Sequence, residues 1–270
     1  MSEHSREKRI LNDLIEHFRA NAGQVDDSRY LLLTTTGARS GRPHTAILGY
    51  YPDGDRVLVV GSAGGGPKHP DWYHNLVANP EVTIETGLFT YPATAVVLRD
   101  AERDEVFARL VEADRGWGEY QARTTRTIPV VALVAQPGPP AGGSFAETLK
   151  RIHTTFRREL ALIRKEVTTS GTAGLGAQLR INCLTLCQAL HHHHTGESVA
   201  LFPALADQHP ELADALATLQ SEHDQIAVLL EELEKLLSNP SPDLLPQVDR
   251  LTAALIAHLD YEEAVLLPHL

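Results

Sequence analysis

The stretch QPGPPAGG at residues 136–143 divides the chain. Prolines lack the N–H that a ladder or helix interior requires, and glycines leave the backbone unconstrained, so neither a strand nor a helix crosses this segment. Before it, apolar residues alternate in short β-branched runs. After it no such run occurs, and apolar residues recur every three or four positions. A chain divided in this way is expected to fold as two units of different secondary structure, residues 1–135 and 144–270, joined by a Pro/Gly linker over 136–143. Its 270 residues are enough for two cores of roughly 100–150 residues each.

In the first unit YLLLTTTG (30–37), HTAILGYYPDGDRVLVVGS (44–62), VTIETG (82–87), YPATAVVLRD (91–100) and IPVVALV (128–134) read as strands. Asp53-Gly54-Asp55 is a hairpin turn. Helical patterns cover 72–80 and 100–114, and an amphipathic helix at about 5–22 precedes the strands. The pattern is α+β with mostly antiparallel pairing, a small barrel. The apolar stripe of RILNDLIEHF suits packing on that barrel better than a membrane surface.

The second unit offers four helices, near 144–169, 175–206, 210–237 and 243–268, with breaks at TTSGTAG, DQHP and SNPSPD. Ser144 and Glu147 have the spacing of a capping box at the first helix start. Four amphipathic helices with short connections make an antiparallel bundle.

This bundle carries an internal repeat. Shifting the chain by 65 residues lays His193 on His258, Glu197 on Glu262, Leu201 on Leu266, Pro203 on Pro268 and Leu205 on Leu270. Each copy follows a helix bearing one further histidine, His153 or His223. Residues four apart share a helix face, so His153, His193, Glu197, His223, His258 and Glu262 are expected to converge from all four helices. Imidazoles with carboxylates suit iron or manganese, and two glutamates suit a pair of ions better than one. The four consecutive histidines 191–194 are therefore not one site. His191 and His192 are expected to face solvent or to support the ligands.

Over about 144–270 the sequence resembles the hemerythrin-like (HHE cation-binding) domains, on His153, HHTGE (193–197), LFPAL (201–205), EH (222–223) and HLDYEE (258–263). The resemblance implies a non-haem di-iron centre of the kind used for oxygen binding, oxygen or iron sensing and peroxide chemistry. Oxygen-carrying members have a second histidine one turn away on the third helix, whereas Leu219 and Ala227 flank His223 at that spacing. The position is left open, or filled by His194.

The net charge of −11 is uneven, −3 over residues 1–140 and −8 over 141–270. An acidic bundle argues against nucleic acid as a partner. No 18-residue apolar run exists, so no stable membrane insertion is expected. Cys183 and Cys187, four apart on one helix, read as reduced core thiols, which points to a cytoplasmic protein.

In the first unit, TTTGARSGRPHTAIL (34–48) places Arg39, Ser40 and Arg42 on a turn able to receive an anion, and GSAGGGPKHPDWYHNL (61–76) adds glycines, Lys68, His69 and the aromatics Trp72 and Tyr73. Together they describe a pocket for a phosphate-bearing ring cofactor, although Trp72 and Tyr73 could equally anchor a helix. LLLTTTGARSGRP, GGPKHPDWYHNLVANPEVTIE and EYQARTTRTIPVVAL are similar to the deazaflavin (coenzyme F420)-dependent nitroreductase and quinone reductase family, over about 20–135. That similarity implies a split β-barrel passing hydride from reduced deazaflavin to quinones or nitro compounds. It places Arg39, Ser40, Arg42, Lys68, His69 and Asn75 at cofactor-binding positions, and Trp117 and Tyr120 along the acceptor pocket. Ala38 stands where the family often has a basic residue, and FMN is the alternative cofactor. No general acid or nucleophile stands out, as suits a reaction whose chemistry resides in the cofactor.

The combined expectation is a redox enzyme, an F420-dependent reductase barrel coupled to a di-iron bundle that handles oxygen, peroxide or a small substrate. The alternative is an oxygen, nitric oxide or iron sensor with a cofactor-holding barrel. A homodimer is expected.

Overall fold

The computed structural model describes residues 3–137, 143–170, 176–238 and 243–270. Most of the expected linker, and parts of the TTSGTAG and SNPSPD breaks, lie outside these residues. The chain forms two compact units, Met1–Gly142 and Gly143–Leu270.

The first unit is a closed antiparallel barrel of β1 (Tyr30–Thr36), β2 (Pro43–Asp53), β3 (Arg56–Val60), β4 (Glu81–Glu85), β5 (Thr90–Val97) and β6 (Val130–Ala135), in the order β1-β2-β3-β6-β5-β4. Side chains alternate across it with period two. Leu31, Leu33, Val59, Ile84, Val131 and Leu133 fill the interior. Their neighbours Leu58, Val60, Val130 and Ala132 instead pack on Val106, Phe107 and Leu110 of helix α3 (Asp100–Ala113). Leu32 packs on Ile15 and Phe18 of helix α1 (Glu3–Ala20), so the α1 stripe is spent on the barrel. Helix α2 (Asp71–Ala78) inserts Trp72 and Leu76 among the interior residues. Trp72 is thus a core anchor and no stacking surface for a ligand. At the β2–β3 hairpin the Asp53 carboxylate accepts from Arg56 (2.8 Å) and Arg109 (2.7 Å), tying the turn to α3.

One element is absent from the sequence reading, helix α4 (Gly116–Ala122). GWGEYQA has two glycines in seven residues and no apolar period, so propensity argues against a helix. Packing supplies what propensity lacks. A Cβ on Gly118 would stand 3.2 Å from Val111, and Trp117 and Tyr120 join the α3 cluster.

The second unit is all helical: α5 (Phe145–Ser170), α6 (Ala177–Gly196), α7 (Phe202–Gln208), α8 (Ala213–Ser238) and α9 (Leu244–Leu266). The capping box forms as expected, Glu147 N–H donating to Ser144 Oγ (3.2 Å) and Ser144 N–H to Glu147 Oε2 (2.9 Å). Each long helix packs on two neighbours, α5 on α6 and α9, and α8 on α6 and α9. Pairs such as Arg157–Asp260 and Arg164–Asp249 run in opposite directions, so α5 and α9 are antiparallel.

Buried positions on α5 are Leu149, His153, Phe156, Leu160, Ile163 and Val167, and on α8 Leu216, Leu219, His223, Ile226, Leu230, Leu233 and Leu237. The steps alternate three and four throughout, as in a bundle seam. Two histidines therefore occupy places where the packing calls for leucine. On α6 the same stripe runs through Leu179, Cys183, Leu186, Leu190 and His194 to Glu197. Cys183 and Cys187 are buried thiols, and burial pushes the Cys187 thiol up to about 12.

Between α6 and α7 the backbone widens into a π turn, Glu197–Leu201. Such a turn holds one residue more than an α-turn. The stripe accordingly slips by one: after Glu197 the buried residues are Phe202 and Leu205, where uninterrupted steps would give 201 and 204. α9 has no such turn, and Leu266 is fully buried. The repeat equivalence of Leu201 and Leu266 thus holds in sequence and fails in space, because Phe202 takes the buried place in the first copy.

Candidate metal centre and barrel site

Two groups of metal-competent donors meet inside the bundle. One comprises His153, His193, Glu197 and Glu262, the other His194, His223 and His258; within each group the donor atoms lie within 4.8 Å of one another. The carboxylates connect them. Glu197 Oε1 is 3.2 Å from His193 Nε2 while its Oε2 is 3.7 Å from His223 Nε2. Glu262 Oε2 is 3.3 Å from His153 Nε2 and 3.6 Å from His258 Nε2. All six residues expected from the repeat come together here, and His194 joins them as a seventh. His193 and His194 are successive residues about 100° apart on a helix, and each serves a different group. His191 and His192 are exposed.

The donor atoms are turned on one another without the partners a polar core requires. Both oxygens of Glu197, both of Glu262 and Nε2 of His194 are buried and make no hydrogen bond. Native proteins satisfy such groups almost without exception, and an unpaired buried carboxylate is costly. Cations between the two groups would meet all five at once, so the residues present fit a metal pair.

Outside the cage the other ring nitrogens are held. Glu263 accepts from His153 Nδ1 (2.9 Å) and Glu222 from His258 Nδ1 (2.9 Å), while Ser198 Oγ meets His223 Nδ1 (3.0 Å). An ionised carboxylate only accepts, so the proton of His153 and of His258 sits on Nδ1 and the Nε2 lone pair faces inward. Arg157 donates to Glu263 (2.7 Å) and to Asp260 (2.7 Å), fixing Glu263 in turn. Glu222 and Glu263 lie inside the EH and HLDYEE motifs, yet the sequence reading gave neither a role. Histidine ligands usually have such outer partners, and that was the available signal.

Electrostatics make the imidazoles ready ligands. Burial, then the neighbouring imidazoles, lower His193 to about 3 and His223 to about 4, and push His194 down as well. All three are neutral at pH 7. Burial and the charge of Glu262 push Glu197 far above the usual carboxylate range. Burial also acts to raise Glu262, but the imidazole of His153, with His258 and His193 behind it, outweighs it and holds Glu262 below that range. Burial thus favours the neutral form of Glu197, and the surrounding imidazoles favour the ionised form of Glu262.

The barrel site is built differently. Asn75 of α2 is buried, accepts from Ala38 N–H (3.0 Å) and donates to Thr35 Oγ1 (3.1 Å). Its present work is to shape the turn that carries Arg39, Ser40 and Arg42. Ser40 Oγ is engaged by His44 Nε2 (3.1 Å) and Arg42 N–H (3.2 Å), and Gly37 has no space for a Cβ beside Ser40. Arg39, Arg42 and Lys68 are exposed.

His69 stacks at 4.7 Å on Tyr73 of α2, and burial followed by the charge of Arg126 lowers its pKa. The Arg126 guanidinium donates to the carbonyls of Gly61 (3.1 Å), Ser62 and Gly66 (2.9 Å) and meets His69 Nδ1 (3.0 Å). It staples the glycine-rich loop, a role the sequence reading did not assign although the residue lies in the quoted EYQARTTRTIP motif. Gly65 has φ +79°, and a Cβ there would meet Tyr120 O at 2.8 Å, so the loop abuts the backbone of α4. Trp117 donates its indole N–H to Tyr51 OH (2.8 Å), and Arg123 lies over the Tyr120 ring at 5.5 Å. Both aromatics are half-buried against the α3 cluster beside that loop.

Among the described residues no helix is long and apolar enough to cross a membrane. Residues 7–135 match the F420H(2)-dependent quinone reductases and residues 144–270 the hemerythrin HHE cation binding domain. An F420H(2)-dependent quinone reductase of Mycobacterium tuberculosis is 46% identical over 109 residues, covering 38% of this chain and 71% of that protein. A solved F420-H2 dependent reductase is 40% identical and covers 39% of this chain and 93% of its own, with a TM-score of 0.36. A second solved structure, described only as a domain-swapped dimer, is 36% identical and covers 48% of this chain and 95% of its own, with a TM-score of 0.38.

Proposed function

Because this chain belongs to the F420H(2)-dependent quinone reductase family over its first half and carries a hemerythrin HHE cation-binding domain over its second, we propose a two-part oxidoreductase, with residues 1–135 and 144–270 as its working units. The barrel binds reduced F420 and reduces a quinone or a nitro compound. The bundle holds two iron ions and handles oxygen, peroxide or another small molecule. When bound, reduced deazaflavin supplies a hydride and an iron pair supplies one electron per ion.

The chain's own residues bind and orient. Arg39, Arg42 and Lys68 offer exposed cations to the anionic part of the cofactor, on a turn set by Asn75 and Ser40. Arg126 and His69 fix the glycine loop, whose backbone approaches the ligand closely. Tyr120 and Trp117 pack against the acceptor beside it. In the bundle, His153, His193, Glu197 and Glu262 would hold one ion and His194, His223 and His258 the other. An iron pair held by these five imidazoles and two carboxylates would supply a place for a small ligand to bind. A homodimer is part of this reading.

The observation that carries the bundle reading is the set of five buried donor atoms without hydrogen-bond partners. Anaerobic titration of the metal-free chain with Fe(II), followed by iron analysis and an optical spectrum in air, tests it. Two irons per chain with the absorption of a bridged ferric pair are expected, and a chain that retains no iron sinks the reading. For the barrel, reduced F420 should be oxidised over many turnovers when a soluble quinone is added.

A sensing role is the second reading, favoured by a donor set drawn entirely from the bundle. It requires negligible turnover of quinone by the whole chain. Electron exchange between the units requires that reduced F420 reduce the ferric bundle faster in the whole chain than in an equimolar mixture of the two parts.

A further inference from the structure

A third group of donors stands apart from the cage. His209, Glu211 and His269 place one ligand atom each within 4.8 Å of one another. The rings of His209 and His269 are 4.6 Å apart at 64°, and His209 Nδ1 lies 3.1 Å from Glu211 Oε1. These residues come from two turns about sixty positions apart in sequence, the one following α7 and the one following α9.

Both turns are fixed before any ligand arrives. His209 N–H donates to Leu205 O (2.7 Å), and Leu212 N–H donates back to His209 O (3.0 Å). Pro210 opens a 3-10 turn, Pro210–Leu212, and Pro268 lies within a second, Leu267–His269. Proline locks its own φ, so neither turn has much backbone freedom to lose. Their neighbours Leu205, Leu212, Leu266 and Leu270 belong to one apolar cluster, which anchors each turn from below.

We propose that His209, Glu211 and His269 form a separate divalent-cation site of zinc(II) type, which ties the turn after α7 to the end of α9. Two imidazoles and one carboxylate suit a borderline divalent ion, with further positions completed by water. The donors need only small side-chain rotations to reach the ~2.0–2.2 Å of zinc bonds to nitrogen and oxygen. All three are at least partly exposed, so an ion reaches them without opening the core. A cation bound to the folded chain alone adds stability by mass action.

The test uses the full chain with its cage already loaded with iron, and Zn2+ as the probe. Calorimetric titration should show one zinc per chain added to an unchanged iron content, together with a rise in the thermal midpoint. His209→Ala and His269→Ala should each weaken that binding by at least ~100-fold and abolish the rise, with the iron spectrum intact. A His191→Ala/His192→Ala double variant should behave as the wild type, because those exposed histidines are the competing adventitious site. Equal zinc affinity in the wild type and in His209→Ala overturns the proposal. So does loss of zinc only in the His191/His192 variant, or zinc uptake matched by iron release.

Discussion

The two candidate sites are built by opposite means. In the bundle the candidate donors are helix side chains, all buried but His193, several of them in slots the packing would otherwise give to leucine, and an outer partner fixes several of the rings. In the barrel the charged groups Arg39, Arg42 and Lys68 stand exposed on turns, and the buried Asn75 and the half-buried Arg126 hold backbone in place. The bundle site is therefore over-determined by side chains, and the barrel site by the path of the main chain. Mutations should separate the two: removal of a bundle donor ought to destroy its site, and removal of an exposed barrel cation ought only to weaken one.

The largest effect is expected from Glu262→Ala. It removes a carboxylate shared by both donor groups, so iron content should fall from two ions toward none, with an affinity loss beyond ~100-fold by metal analysis. Asn75→Ala comes next. It leaves Ala38 N–H without its buried acceptor, which costs about 1–3 kcal/mol in a denaturant melt and should also impair F420 binding. Glu263→Gln keeps the shape around His153 but removes the carboxylate that fixes its tautomer, so iron affinity should drop about 10–100-fold while the bundle stays folded by circular dichroism. Arg42→Ala and Lys68→Ala should give the smallest change, a loss of F420 affinity that shrinks as salt is added, since exposed charges are screened.

The metal-free cage also has a pH signature. His193 and His223 have folded-state pKa values near 3 and 4, below the unfolded 6.5, so their contribution is present above pH 6.5 and lost as pH falls toward those values. Glu197 is shifted the other way, and its contribution is lost as pH rises above the unfolded value of 4.5. Glu197→Gln should therefore make metal-free stability flatter on the alkaline side while abolishing iron binding. A thermal-melt series against pH, with and without iron, checks both signs.

How much of this was legible follows the same contrast. The repeat of His-x3-Glu four apart fixes a helix face, so the convergence of the six candidate donors could be read from spacing. His194, named from the sequence only as a candidate for the open position, also follows from continuing Leu186 and Leu190 one step of four. The barrel strands were legible from alternation. Helix α4 was not, because its glycines oppose a helix and only contact with Val111 and the α3 cluster sustains it. The part played by Arg126 was hidden for a related reason: its partners are three carbonyls about sixty residues away, and a carbonyl has no signature in a sequence.

The π turn at Glu197–Leu201 has a consequence for variation in chain length. Wound as uninterrupted α-helix, the same residues would turn Phe202 and Leu205 about 100° away from the seam and bring Leu201 and Ala204 toward it. Deleting the exposed Val199 would instead return the helix to uniform pitch with Phe202 and Leu205 four and seven positions after Glu197, still on the seam. A relative shorter by a single residue at this place could therefore keep the same buried side chains, so the π turn absorbs a change in chain length that a uniform helix would pass on to every residue beyond it.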